Sequence, residues 1–84
     1  MTKVLIVEDE RNVVKGFKAD IASAADRYTL VETIENAANT ATVCATGGVD
    51  LILMDINTKD NESGLAAAEK IKRLFPDIKV IITT

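Results

Sequence analysis

The sequence predicts an α/β fold built on a parallel β-sheet. Three apolar runs of strand length, at residues 4–7, 51–54 and 80–82, show no polar alternation, which is typical of strands buried on both faces. Segments with helical periodicity separate these runs, and this alternation favours parallel strands joined by right-handed crossovers. Acidic residues follow the first two runs, so the sequence also predicts a polar site at the carboxyl edge of the sheet.

Composition limits the possible functions of the chain. Its 84 residues allow one small domain, and 48% hydrophobic residues indicate a globular one. The net charge of −3 gives no basic surface for nucleic acid, and no apolar run reaches the roughly 20 residues of a membrane span. Histidine is absent, which removes the usual general base. The single cysteine, Cys44, excludes an internal disulfide and is predicted to be a small buried residue, so we expect a cytoplasmic protein.

The first half of the chain predicts two strands and two helices. A strand at residues 3–7 leads into three acids and an amphipathic helix over about residues 10–25, with Val13, Phe17 and Ile21 at helical spacing. Residues 27–34 alternate only in part, which favours a strand near a sheet edge. An alanine-rich stretch at about residues 36–46 predicts a short helix that ends at Gly47 and Gly48.

The second half predicts a central strand, a helix and a final strand. The central strand covers about residues 50–54 and ends on Asp55, and a polar loop follows at residues 57–64. A helix over about residues 65–75 carries an apolar stripe of Leu65, Ala68, Ile71 and either Leu74 or Phe75, and Pro76 ends it. The last strand covers residues 79–82 and is followed by two threonines.

Parallel topology brings the carboxyl ends of these strands to one edge. We therefore expect Glu8, Asp9 and Asp55 to converge there, together with a threonine hydroxyl from the last strand. Carboxylates without histidine or clustered cysteine suit Mg²⁺, and a carboxylate beside Mg²⁺ can act as a nucleophile toward phosphorus. The simpler interpretations are that the acids only favour a helix N-terminus and that Asp55 is only a turn residue.

This pattern resembles the response-regulator receiver domain of two-component signalling. The matching residues are 4–10, 50–55, 64–65 and 80–84, so the resemblance extends over the whole chain. It implies a flavodoxin-like fold of three layers (αβα) with a parallel sheet. It also implies site roles for five residues: Asp55 as phospho-acceptor, Asp9 as direct Mg²⁺ ligand, Glu8 as a partner of the metal through water, Asn57 as a ligand through its backbone carbonyl, and Thr84 as switch hydroxyl.

The sequence departs from the family pattern in three ways. The loop after Asp55 lacks the usual Met-Pro and has one extra residue before Gly64, which is expected to serve close packing at the start of a helix. The sequence ends at Thr84, whereas a full receiver continues through a helix, a fifth strand and a final helix. The family's lysine on that fifth strand has no counterpart, and Thr83 is the less favoured alternative for the switch hydroxyl. We therefore expect residues 1–84 to form a partial receiver domain, truncated after the fourth strand, without an output domain.

The implied function is phosphoryl acceptance from a sensor histidine kinase with Mg²⁺, followed by switching of an output surface that regulates transcription. The chain would assist the transfer without being a conventional enzyme. It would reach DNA only through an absent output domain, would not bind membranes, and would be able to self-associate through its open sheet edge. One alternative is a phosphatase of the haloacid-dehalogenase type, whose nucleophile motif resembles residues 51–58, although Asn57 stands where that motif needs a second aspartate. The other is a pseudo-receiver that binds partners without phosphorylation.

Overall fold

A computed structural model describes residues 1–56 and 64–83 and confirms the α/β architecture. Four parallel strands form one sheet in the order β2-β1-β3-β4. In chain order the elements are β1 (Thr2–Val7), α1 (Arg11–Ser23), β2 (Tyr28–Ile34), a 3₁₀ turn (Ala37–Asn39), α2 (Thr40–Ala45), β3 (Leu51–Asp55), α3 (Gly64–Leu74) and β4 (Lys79–Thr83).

Local sequence signals set most element ends within one or two residues of the predicted positions, but the single helix predicted at about residues 36–46 is divided into the 3₁₀ turn and α2. Glu10 is the N-cap of α1, and its side chain accepts a hydrogen bond of 3.3 Å from the Asn12 backbone amide. Asn36 caps the 3₁₀ turn by accepting from the Ala38 amide at 2.9 Å. Gly47 and Gly48 adopt φ values of 84° and 83° beyond α2, a conformation that disfavours residues with a side chain. The chain can therefore leave α2 and turn into β3.

The predicted edge position of β2 is confirmed, and its imperfect alternation has a structural cause. The partner of Val4 on β2 is Leu30, whereas the partner of Leu5 is Glu32. Val31 is the extra residue of this bulge and is 43% exposed. A bulge resets which residues face the core, so strict alternation along the strand is lost.

The main hydrophobic core lies between the sheet and the α2–α3 layer. Its buried members come from β1, β3, the segments around α2, and α3: Leu5, Val7, Ala37, Cys44, Val49, Ile52, Met54, Ala67 and Ile71. Cys44 is buried, as predicted. On the opposite face Val4 and Ile6 are also buried, but α1, which is described over its full length, contains no buried residue.

The apolar stripe predicted for α3 is partly wrong. Ala68 and Ile71 are buried as expected, but Leu65 is 50% exposed. Of the two residues expected to end the stripe, Leu74 is 53% exposed, whereas Phe75 packs partly buried against the core. The buried face instead begins with Gly64 and continues through Ala67. These small residues allow the helix to approach the sheet closely, so the helix is rotated toward them and away from the leucines. Within the described part of the chain, no helix has the length and apolar character needed to cross a membrane.

Candidate functional site

Three carboxylates meet at the carboxyl edge of the sheet. β1 and β3 are adjacent, and Val7 pairs with Met54, so the next residues along the two strands, Glu8 and Asp55, lie side by side. Asp9 follows directly. One carboxylate oxygen from each of the three residues lies within 4.8 Å of the others. The convergence expected from the sequence is therefore observed for these three side chains.

The backbone holds Glu8 firmly in this cluster. The Glu8 amide donates a hydrogen bond of 3.0 Å to the carbonyl oxygen of Ile34, which extends the pairing between β1 and β2 by one residue. Glu8 is only 6% exposed, whereas Asp9 and Asp55 are half-buried. The cluster thus has one buried acid at its inner end and two acids that solvent reaches.

This environment raises the pKa of Glu8 from its ordinary value of 4.5 to about 7. Burial is the largest cause, because it disfavours the charged form. Hydrogen bonding with the carboxyl group of Asp55 and the negative charges of Asp55 and Asp9 raise the pKa further, while a hydrogen bond from the Glu10 backbone opposes the change. Near pH 7 the Glu8 carboxyl group is therefore partly protonated.

The donor set fits a hard divalent cation. All three groups are carboxylates, they come from two fixed strand ends, and burial together with the neighbouring negative charges favours proton uptake by Glu8. A divalent cation among them would replace that proton as the source of positive charge, and Mg²⁺ prefers oxygen ligands of this kind. The site can therefore hold a metal, or a proton when no metal is bound.

The other two predicted site residues, Asn57 and Thr84, lie outside the described residues. Thr83 is the last residue of β4; it is half-buried and pairs directly with Asp55. The assignment of the switch hydroxyl to Thr84 in preference to Thr83 stays a prediction. Sequence reasoning placed Glu8 at the metal through water and did not anticipate that Glu8 would be buried beside Asp55 with a raised pKa.

Comparison with known proteins identifies the family. Residues 4–84 match the family model for the response regulator receiver domain. The chain belongs to this family. It is similar to the oxygen regulatory protein NreC of Staphylococcus carnosus (strain TM300), with 32% identity over 82 residues. That match covers 98% of this chain but 37% of NreC, so the chain spans little more than a third of this curated relative.

Solved receiver structures share the fold of this receiver domain. The MaeR response regulator bound to beryllium trifluoride superposes with a TM-score of 0.88 at 26% identity, covering 100% of this chain and 67% of MaeR. TrrA from Thermotoga maritima, in complex with Mg²⁺ and a beryllium fluoride, gives a TM-score of 0.83 at 29% identity, covering 98% of this chain and 68% of TrrA. A further structure contains TrrA in complex with the histidine kinase ThkA.

Proposed function

We propose that this receiver domain accepts a phosphoryl group on Asp55 from the phosphohistidine of a sensor histidine kinase. The observation that carries the proposal is the convergence of Glu8, Asp9 and Asp55 within 4.8 Å at the carboxyl edge of the sheet. Mg²⁺ would be held directly by Asp9, Asp55 and the backbone carbonyl of Asn57, and by Glu8 through water. The TrrA complexes support both the Mg²⁺ site and the histidine kinase as partner, because that relative binds Mg²⁺ in one structure and a histidine kinase in another.

The reaction requires an ionised and correctly placed Asp55. A carboxylate oxygen of Asp55 attacks phosphorus, the bond from phosphorus to the histidine nitrogen breaks, and its electron pair returns to the imidazole ring. The product is a mixed acyl phosphate on Asp55. Bound Mg²⁺ supplies the positive charge that offsets repulsion between the carboxylates and the incoming phosphoryl group. Glu8 contributes by giving up its proton, so that the cluster becomes fully anionic when the cation is present.

The phosphorylated site would act as a switch. The hydroxyl of Thr84 would hydrogen-bond to the phosphoryl oxygens and thereby favour one of two conformations of the domain. An output domain would read the altered surface and regulate transcription; the relative NreC is described as an oxygen regulatory protein. DNA would be contacted only by that output domain, and a cytoplasmic location is part of the same proposal.

The test is the intact mass of the chain after incubation with acetyl phosphate and Mg²⁺. We expect a base-labile phosphoryl adduct that disappears in Asp55→Asn and when Mg²⁺ is omitted. Asp26→Asn is the matched control, because it removes an exposed aspartate far along the sequence from the cluster and should leave the adduct unchanged. A folded protein without adduct would refute the proposal and favour a pseudo-receiver. Steady hydrolysis of a phosphomonoester would instead support the phosphatase interpretation, which the family match disfavours.

We also propose that the chain can self-associate through β4. This strand is at the edge of the described sheet, and its Ile81 and Ile82 are 44% and 37% exposed. An edge strand with apolar side chains is a template for pairing with another strand, here the β4 of a second copy. Sedimentation should show a dimer that Ile81→Lys abolishes. A folded monomer at all concentrations would contradict this.

A further inference from the structure

Gly64, the first residue of α3, lies directly against the backbone of the candidate acceptor. Its amide donates a hydrogen bond of 2.8 Å to the carbonyl oxygen of Ile56. A Cβ atom on Gly64 would overlap with the carbonyl oxygen of Asp55 and would lie 2.8 Å from the Asp55 carbonyl carbon and from the Ile56 Cα atom. All three atoms belong to the backbone, so none of them can rotate away from an added methyl group.

Glycine is required at position 64 because there is no room for a side chain, and not because of its backbone conformation. The φ angle of Gly64 lies outside the left-handed region, unlike those of Gly47 and Gly48. Gly16 differs again, because a Cβ at that position in α1 would meet no atom within 4 Å. Among the four glycines of the chain, Gly64 alone is required by close contact with other backbone, and that backbone is the Asp55–Ile56 peptide.

We propose that Gly64 is a positioning residue for Asp55, an inference that rests on the proposed role of Asp55 as acceptor. By lacking a side chain, Gly64 lets the first turn of α3 sit against the Asp55–Ile56 peptide, and this contact fixes the direction in which the Asp55 carboxylate leaves β3. The other two carboxylates belong to the segment after β1, where the Glu8 amide is bonded to Ile34, so they would not follow a movement of Asp55.

The size of the expected effect follows from the overlap. Relief of the contact requires a relative shift on the order of 1 Å between the start of α3 and the end of β3, and such a misplacement of a reacting group costs up to about 100-fold in rate. Functional constellations tolerate only about 0.5 Å of error. Gly64→Ala should therefore misplace the Asp55 carboxylate relative to Glu8 and Asp9 while leaving the sheet intact.

The experiment compares Gly64→Ala with Gly16→Ala. Both variants add one methyl group to a helix of the same protein, but only the first affects the acceptor. The rate of adduct formation at saturating Mg²⁺ and acetyl phosphate should fall by about 10- to 100-fold in Gly64→Ala and stay within about twofold in Gly16→Ala. Mg²⁺ affinity, measured by calorimetry, should weaken severalfold only in Gly64→Ala. A Gly64→Ala protein with lower stability in urea but wild-type rate and affinity would refute the positioning role.

Two further readouts separate this inference from the proposed function. If the wild-type chain binds Mg²⁺ but takes no phosphoryl group, the proposed function fails, and the Mg²⁺ affinities of the two variants still decide the role of Gly64. If Gly64→Ala does not fold, the wild-type protein supplies the test by NMR. The amide signal of Gly64 should shift on addition of Mg²⁺ while that of Gly16 does not, and an unmoved Gly64 signal would refute the coupling to Asp55.

Discussion

The buried carboxyl of Glu8 should make the stability of this receiver domain fall as pH rises. In the folded state the pKa of Glu8 is about 7, whereas in the unfolded chain it returns to its ordinary value of 4.5. Between these values the folded protein binds a proton that the unfolded chain does not, so the free energy of unfolding decreases with increasing pH. The stabilisation is complete below the unfolded pKa and is lost as pH passes the folded pKa.

The magnitude follows from the two pKa values. Their difference sets an upper limit of about 3 kcal/mol on the stabilisation that is lost as pH rises. About 2 kcal/mol of this loss falls between about pH 5.5 and about pH 8. Urea unfolding, monitored by circular dichroism at several pH values in this range, measures the slope of the free energy of unfolding against pH. Glu8→Gln keeps a hydrogen-bond donor toward Asp55 but cannot ionise, so this pH dependence should vanish in the variant. The free energy of unfolding of the variant should exceed that of the wild type most at high pH.

Two controls make this prediction specific. Glu69→Gln removes an exposed carboxylate from α3 and should keep the wild-type slope. Saturating Mg²⁺ should restore stability at high pH in the wild type, because the cation replaces the proton that Glu8 has lost. A pH slope that persists unchanged in Glu8→Gln, or a wild type whose stability does not fall over this range, would show that Glu8 is not the group responsible.

Three further predictions concern stability alone and are measured by the same urea unfolding. The buried Thr40 hydroxyl has no hydrogen-bond partner among the described residues, so Thr40→Val, which keeps the shape, should stabilise by about 1 kcal/mol; destabilisation would indicate a partner for the hydroxyl. Ile52→Ala should cost about 2–5 kcal/mol because Ile52 is fully buried, whereas Leu74→Ala, at a position that is 53% exposed, should cost far less; equal costs would contradict the position of the core. Gly48→Ala should destabilise the fold by about 1 kcal/mol because the φ angle of Gly48 is 83°, in the left-handed region. Gly16→Ala in mid-helix should be neutral or stabilising, and the reverse order would contradict the backbone assignment.

The sequence was sufficient to predict the parallel sheet and the acidic cluster. Strands buried on both faces leave a continuous apolar run, and a residue that ends such a run, such as Asp55, can only emerge at the sheet edge. Glu8 and Asp9 follow β1 in the same way. These predictions depend on local pattern and on the rule that parallel strands share an edge, so they required no knowledge of side-chain packing.

Other features depend on contacts between distant segments and could not be predicted. The bulge at Val31 arises from the register of β2 against β1, which the sequence of β2 alone does not determine. The rotation of α3 depends on how closely Gly64 and Ala67 approach the sheet, and hydrophobic periodicity therefore overestimated the burial of Leu65. The contact of Gly64 with the Asp55–Ile56 peptide has no local signature beyond the presence of a glycine.

The unequal burial on the two faces of the sheet has a consequence for how the domain opens. α1 can separate from the sheet without exposing a fully buried side chain of its own, whereas α3 would take Ala67, Ala68 and Ile71 out of the core. Val4 and Ile6 of the sheet are buried on this face, so amide protons of α1 should exchange through local fluctuations of lower free energy than those of α3 but above zero, while those of β1 and β3 exchange only when the whole domain unfolds. Glu8 and Asp9 lie in the segment that connects β1, whose amide protons should exchange slowly, to α1, whose amide protons should exchange faster. We therefore expect a change in the charge of the acidic cluster to alter the motion of α1 more than that of β1.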